Sequence, residues 1–195
     1  MVDIGFAPRP VYTAVKRAAE NVGRATPGTY EETNPAAVFA GHWQAVRDDT
    51  ASAGALRASS APGDSLTITF RGREFALLVR GGPGAPPLLV TVDGRESSVL
   101  PRDRQGRSYI ELASIPPGAS QWVRVADRLT GDGHVVRLVV GSTGRPEQPV
   151  PVGIDGFRVV DQGGMDLLAS WPILPAVVLV VAGAVWLRRR RRRRA

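Results

Sequence analysis

From Asn34 to Asp161 apolar and polar positions alternate along the chain with a period of two, the spacing of strands whose successive side chains point to opposite faces of a sheet. LTITF over 66–70 sets Leu66, Ile68 and Phe70 against two threonines, and FALLV over 75–79 is apolar throughout, as a strand buried on both faces would be. LLVTV over 88–92 runs into Asp93-Gly94, a pair favoured in two-residue hairpin turns. SYIEL, QWVRV, HVVRLVV and GIDGFRVV follow, separated by PPG, GDG and GRPEQP. With AGHWQAV near the start, the pattern predicts about eight short strands and no long helix between them, hence an all-β antiparallel β-sandwich or jelly roll. RGGPGAPP and DRLTGDG read as hairpin loops, since the first lacks the Lys-Ser/Thr end of a phosphate loop and the second the acidic spacing of an EF-hand.

The flanks follow other rules. PVYTAVKRAAENV over 10–22 places Val11, Val15, Ala18, Ala19 and Val22 at spacings of three and four, which predicts a short amphipathic helix. GRATPGTYEETNP after it has the Gly, Pro and Asn punctuation of an irregular linker. At the other end, Leu167 to Leu187 carries no charge; at ~1.5 Å per residue it spans about 31 Å, the thickness of a bilayer's hydrocarbon core, and predicts a single transmembrane helix. Trp171 and Trp186 stand near its ends, where indole rings favour the headgroup region. The run Arg188, Arg189, Arg190, Arg191, Arg192, Arg193 and Arg194 begins at the next residue and resists translocation. The expected organisation is therefore a helix and linker over 1–29, a β-sandwich over 30–161, a juxtamembrane and transmembrane segment over 162–187 and a cytoplasmic tail over 188–195. The domain would lie outside a cell membrane and the C-terminus inside. The first residues lack the apolar core of a signal peptide, so an export signal or an earlier span is expected upstream, in a longer protein.

Charge and composition narrow the chemistry. The net charge of +7 equals the seven C-terminal arginines, so the rest of the chain is formally neutral and a nucleic-acid partner is not expected. Without cysteine there is no disulfide scaffold, thiolate metal site or cysteine nucleophile. Only His42 and His134 could supply imidazole. Asp48 and Asp49 are strand neighbours that point to opposite faces and cannot flank one glycosidic bond. The expectation is a protein that is not an enzyme and has no resident cofactor.

The segments GHWQAVRDDTASAGALRASSAPGDSLTITFRGREFALL, LLVTVDGR, GDGHVVRLVV and VGIDGFRVV together resemble the galactose-binding-like jelly rolls related to carbohydrate-binding modules. The resemblance covers about residues 30–161. Ala53 and Gly156 depart from it, where a glycine and a larger residue are more usual. The resemblance implies the jelly-roll fold and a carbohydrate ligand. It also implies that an aspartate of the closing strand, here Asp155, can join an early acidic residue around a structural calcium ion. Glu31 and Glu32 are the candidates for that partner.

Candidate contact residues come from the alternation. In QWVRVADR, Val123 and Val125 face one way while Trp122, Arg124 and Arg128 face the other, which places an aromatic ring on a polar face. Tyr109 shares a face with Glu111 by the same count. An exposed ring beside charged hydrogen-bonding groups suits the C–H face of a pyranose. Trp43 reads either as an anchor under the first strand or as a further sugar contact. Asp155 shares parity with Phe157 and Val159, apolar company in which a carboxylate needs hydrogen bonds or a cation. Strand-end or turn N–H groups would serve as well as calcium.

The functional expectation is a membrane-anchored, non-catalytic module that binds cell-surface or environmental glycan or acts as a spacer. Two alternatives stand beside it: the accessory domain of an upstream envelope enzyme, and a structural stalk or assembly contact.

Overall fold

The alternating segments become strands in a computed structural model that describes residues 23–142 and 150–161. In chain order the strands are β1 (Gly28–Glu31), β2 (Ala37–Ala40), β3 (Gln44–Arg47), β4 (Ala55–Ser59), β5 (Ser65–Phe70), β6 (Glu74–Arg80), β7 (Leu88–Val92), β8 (Arg95–Glu96), β9 (Tyr109–Ile110), β10 (Ser120–Ala126), β11 (His134–Val140) and β12 (Val152–Val160). No helix occurs among the described residues. The predicted helix over 10–22, the span over 167–187 and the arginine run 188–194 lie outside them.

Two antiparallel sheets face each other. The first has the order β10-β6-β12-β4-β3, with β1 also paired to β12; the second has the order β2-β5-β11-β7-β8, with β9 paired to β7. Leu66, Ile68 and Phe70 of β5 and Val136 and Leu138 of β11 meet Phe75, Leu77 and Val79 of β6 and Phe157 of β12 in one core, all fully buried. Each such side chain contributes about 1.5–3 kcal/mol relative to leaving it in water.

Several expectations change. Among the described residues the strands number twelve rather than about eight. The segment read as a linker contains β1, which pairs with β12 from Gly28↔Val159 to Glu31↔Gly156. AGHWQAV is not one strand: it turns at Gly41, φ +108°, where a Cβ would stand 2.0 Å from Asp64 Oδ1. The two presumed hairpin loops are crossovers, 81–87 from β6 to β7 and 127–133 from β10 to β11, each passing from the first sheet to the second. Sequence alternation identifies strands but not the sheet in which each one pairs. The Asp93-Gly94 turn does form, with both residues at positive φ (52° and 72°) and Val92 paired to Arg95.

Strand β12 organises the first sheet. One edge pairs with β6 over most of its length; the other pairs first with β4, over Val152–Ile154, and then with β1, over Gly156–Val159. The change of partner coincides with a bulge, because Ile154 faces Val79 and Gly156 faces Leu78, which leaves Asp155 as the extra residue.

Candidate functional site

The outer face of the first sheet carries the groups capable of recognition. Register across β10, β6 and β12 sets Trp122 beside Leu78 beside Gly156, and, one row along, Arg124 beside Ala76 beside Arg158. Leu77 and Val79 point into the core, so their neighbours Ala76 and Leu78 point out. Trp122 is 37% exposed. The Arg158 guanidinium stands over the indole, 4.5 Å from its centroid, within the range of a cation–π contact. Arg124 is exposed and pairs with Asp127 at 3.6 Å. Arg128 departs from the expected row, since β10 ends at Ala126.

A buried polar network lies beside this patch. Asp155 is 1% exposed and accepts the Ser52 N–H at 2.9 Å and the Ser120 hydroxyl at 2.7 Å. The Ser120 oxygen in turn accepts from Arg80 Nη2 at 3.0 Å. Arg80 also pairs with Asp48, and the Ser52 hydroxyl donates to Glu31. Asp48 is held below its usual range by the Thr50 hydroxyl and N–H, with Arg80 adding to the effect. The expectation that Asp155 shares a face with Phe157 and Val159 is overturned, because the bulge at Asp155 breaks the parity on which it rested. The Ser52 N–H comes from the turn between β3 and β4 and so supplies the buried carboxylate with a turn hydrogen bond.

Glu32 completes the acidic group. It is buried, its Oε2 has no hydrogen-bond partner, and burial pushes its pKa up, with the negative charges of Glu31 and Asp155 adding to the rise. Glu31 and Asp155 thus lie near enough to Glu32 for their charges to act on it. Among the described residues, however, no three acidic or imidazole groups converge on one point. A calcium ion, which takes six to eight oxygens, would draw most of its ligands there from backbone, hydroxyl or water. The free Glu32 oxygen is the feature that fits it.

The three aromatic candidates do not meet. Tyr109 lies in β9 of the second sheet. Trp43 lies beside β3, the strand farthest from β10 in the first sheet; its indole N–H donates to the Ser65 carbonyl at 3.1 Å and its ring meets Phe39 edge-on, an anchor between β2 and β5. Trp122 alone of the three stands on the outer face of β10 and β6. Arg158, Leu78, Arg80, Ser52 and Ser120 were not singled out from the sequence. Arg158 had a signal, as a lone charge opposite Phe157 and Val159; the others are joined only through register.

This arrangement of two sheets is also seen in proteins of known structure. The likeness is one of fold. It is seen with a family two carbohydrate esterase from Cellvibrio japonicus (TM-score 0.50, 15% identity, 69% of this chain and 33% of that one). A two-domain esterase active on acetylated mannans gives a TM-score of 0.52 at 15% identity, over 70% of this chain and 37% of that one. A Paenibacillus xanthan lyase gives 0.51 at 14% identity, over 84% and 14%. The chain therefore spans about a third of the two esterases and far less of the lyase. No family model and no curated protein matches the sequence.

A cleft of about 460 Å³ lies elsewhere, between the residues after β7 and the crossover after β10. His134, buried in its wall, has Nδ1 2.7 Å from Asp93 Oδ2, while Asp93 Oδ1 accepts the Val135 N–H at 2.8 Å. This pair fastens the β7–β8 turn to the start of β11.

Proposed function

We propose that this chain is a membrane-anchored, extracytoplasmic, non-catalytic module whose sandwich binds cell-surface or environmental glycan. The observation that carries the reading is Trp122, exposed on the outer face of the first sheet with Leu78 and Arg124 beside it and Arg158 over its ring. The fold is shared with proteins that act on carbohydrates, which supports a glycan as ligand. The uncharged stretch 167–187, followed at once by seven arginines, supports the anchor. Titration calorimetry of the full chain in detergent against envelope and plant-type oligosaccharides should give saturable heat that Trp122→Ala abolishes. A flat titration across the whole set would sink the reading.

The limited share of the related chains that this one spans favours a second reading, an accessory domain beside an upstream enzyme. An antibody to the sandwich separates the two on a membrane blot: a band at the size of the chain supports the stand-alone module, and a much larger one the accessory domain. The unpartnered Glu32 oxygen supports a structural calcium ion in either case. Calcium should then raise the thermal midpoint of the native chain and leave that of Glu32→Gln unmoved.

A further inference from the structure

We propose that the Trp122 patch recognises an acidic saccharide, one whose sugar carries a carboxylate, rather than a neutral glycan. The inference rests on the glycan-binding reading and deepens it.

A neutral pyranose stacks on an open aromatic face, but on Trp122 the Arg158 guanidinium stands over the ring at 4.5 Å. The patch thus presents a cation backed by an indole. Arg158 and Arg124 sit on the two strands that flank β6 and share the register of Ala76. Adjacent strands lie about 4.8 Å apart, which separates the two arginine Cα atoms by roughly 10 Å. To reach Trp122 on β10 from its place on β12, the Arg158 side chain crosses β6 by Ala76 and Leu78. A pyranose carboxylate suits this arrangement, its two oxygens facing the guanidinium fork while the sugar ring rests against the indole edge.

The setting restricts how Arg158 can move. Its Nε is buried without a partner and its guanidinium lies over the indole, which leaves the terminal nitrogens to meet a ligand. Stacking on Trp122 fixes the plane of the fork before the ligand arrives, which lowers the ordering cost of binding. A lysine at this position would keep the charge and lose the plane.

The test compares an oligogalacturonate with a neutral cello-oligosaccharide of the same length, by calorimetry on the full chain at low and raised salt. The variants are Arg158→Gln, Arg158→Lys and Arg124→Gln, each first shown by thermal melting to be folded. The proposal expects the acidic probe to bind more tightly, to weaken as salt rises, and to lose at least about tenfold in Arg158→Gln with partial recovery in Arg158→Lys. Arg124→Gln should lose less, and supplies the readout if Arg158→Gln does not fold. Equal affinity for both probes, or an acidic probe indifferent to both arginine positions, overturns the proposal and leaves glycan binding intact. Silence from both probes, while other neutral glycans bind, also overturns the proposal alone. Silence from every glycan removes the underlying reading with it.

Discussion

The Ser52 N–H donates to Asp155 Oδ1 at 2.9 Å across 103 residues of sequence. The bond spans the point where β12 changes partners from β4 to β1, and it ties the turn between β3 and β4 to the centre of the sheet. Around it, Ser120, Arg80, Asp48 and Glu31 form a polar network on a face whose other side is the apolar core.

Replacing Asp155 by alanine would leave the Ser52 N–H and the Ser120 hydroxyl without their acceptor in a buried place. The expected loss is on the order of 3 kcal/mol. It would lower the thermal midpoint of the chain by several degrees. Asp155→Asn, which keeps one acceptor, should lose about half as much. Equal melting curves for native protein and Asp155→Ala would refute a structural role for the carboxylate.

Asp64 sets an acid limit on stability. Burial opposes its ionisation but is outweighed by the Ser59 hydroxyl, at 2.5 Å, and then by the His42 N–H, at 2.9 Å, so its pKa lies below the ordinary 3.8. A depressed folded-state pKa means the unfolded chain binds the proton more tightly. The stability this gives is therefore present above pH 3.8 and lost as the pH falls through the folded value. Urea unfolding from about pH 6 to about pH 2 should show a shallower acid decline in Asp64→Asn than in the native chain. Parallel declines would show that Asp64 contributes nothing to it.

Gly156 has no room for a side chain, because a Cβ there would stand 2.6 Å from the Tyr30 carbonyl oxygen. Gly156→Ala should push β1 away from β12 and cost about 1–3 kcal/mol. Hydrogen exchange at Thr29 to Glu31 should quicken more than exchange in β5 or β11. A uniform change over the sandwich would contradict this local account.

Asp93 serves both a turn and a buried imidazole. With φ at 52° it occupies a conformation that asparagine and aspartate tolerate better than alanine. Asp93→Ala also removes the partner of His134. It should destabilise the chain by about 2 kcal/mol, and Asp93→Asn by less, with glycan affinity at Trp122 unchanged in both. Loss of affinity in a folded Asp93→Ala would connect the cleft to the binding face.

The sequence by itself determined the all-β class, because period-two alternation is a local property of a strand with one buried face, and it determined the Asp93-Gly94 turn, whose backbone suits those residues. It also placed Trp122 and Arg124 on a polar face, since both lie in one strand. Tertiary structure decided everything that depends on which strands are neighbours. The position of Arg158 over Trp122 requires the register of β10 to β6 and of β6 to β12, and no window of sequence contains it. The orientation of Asp155 depends on a bulge that exists because β12 pairs with β4 on one side of it and β1 on the other. GTYE, short and set among Gly and Pro, shows too little alternation to reveal β1; it is a strand because β12 offers it an open edge. The loops at 81–87 and 127–133 look alike whether they turn a hairpin or cross between sheets, and only the burial of both sheets against one core chooses between the two.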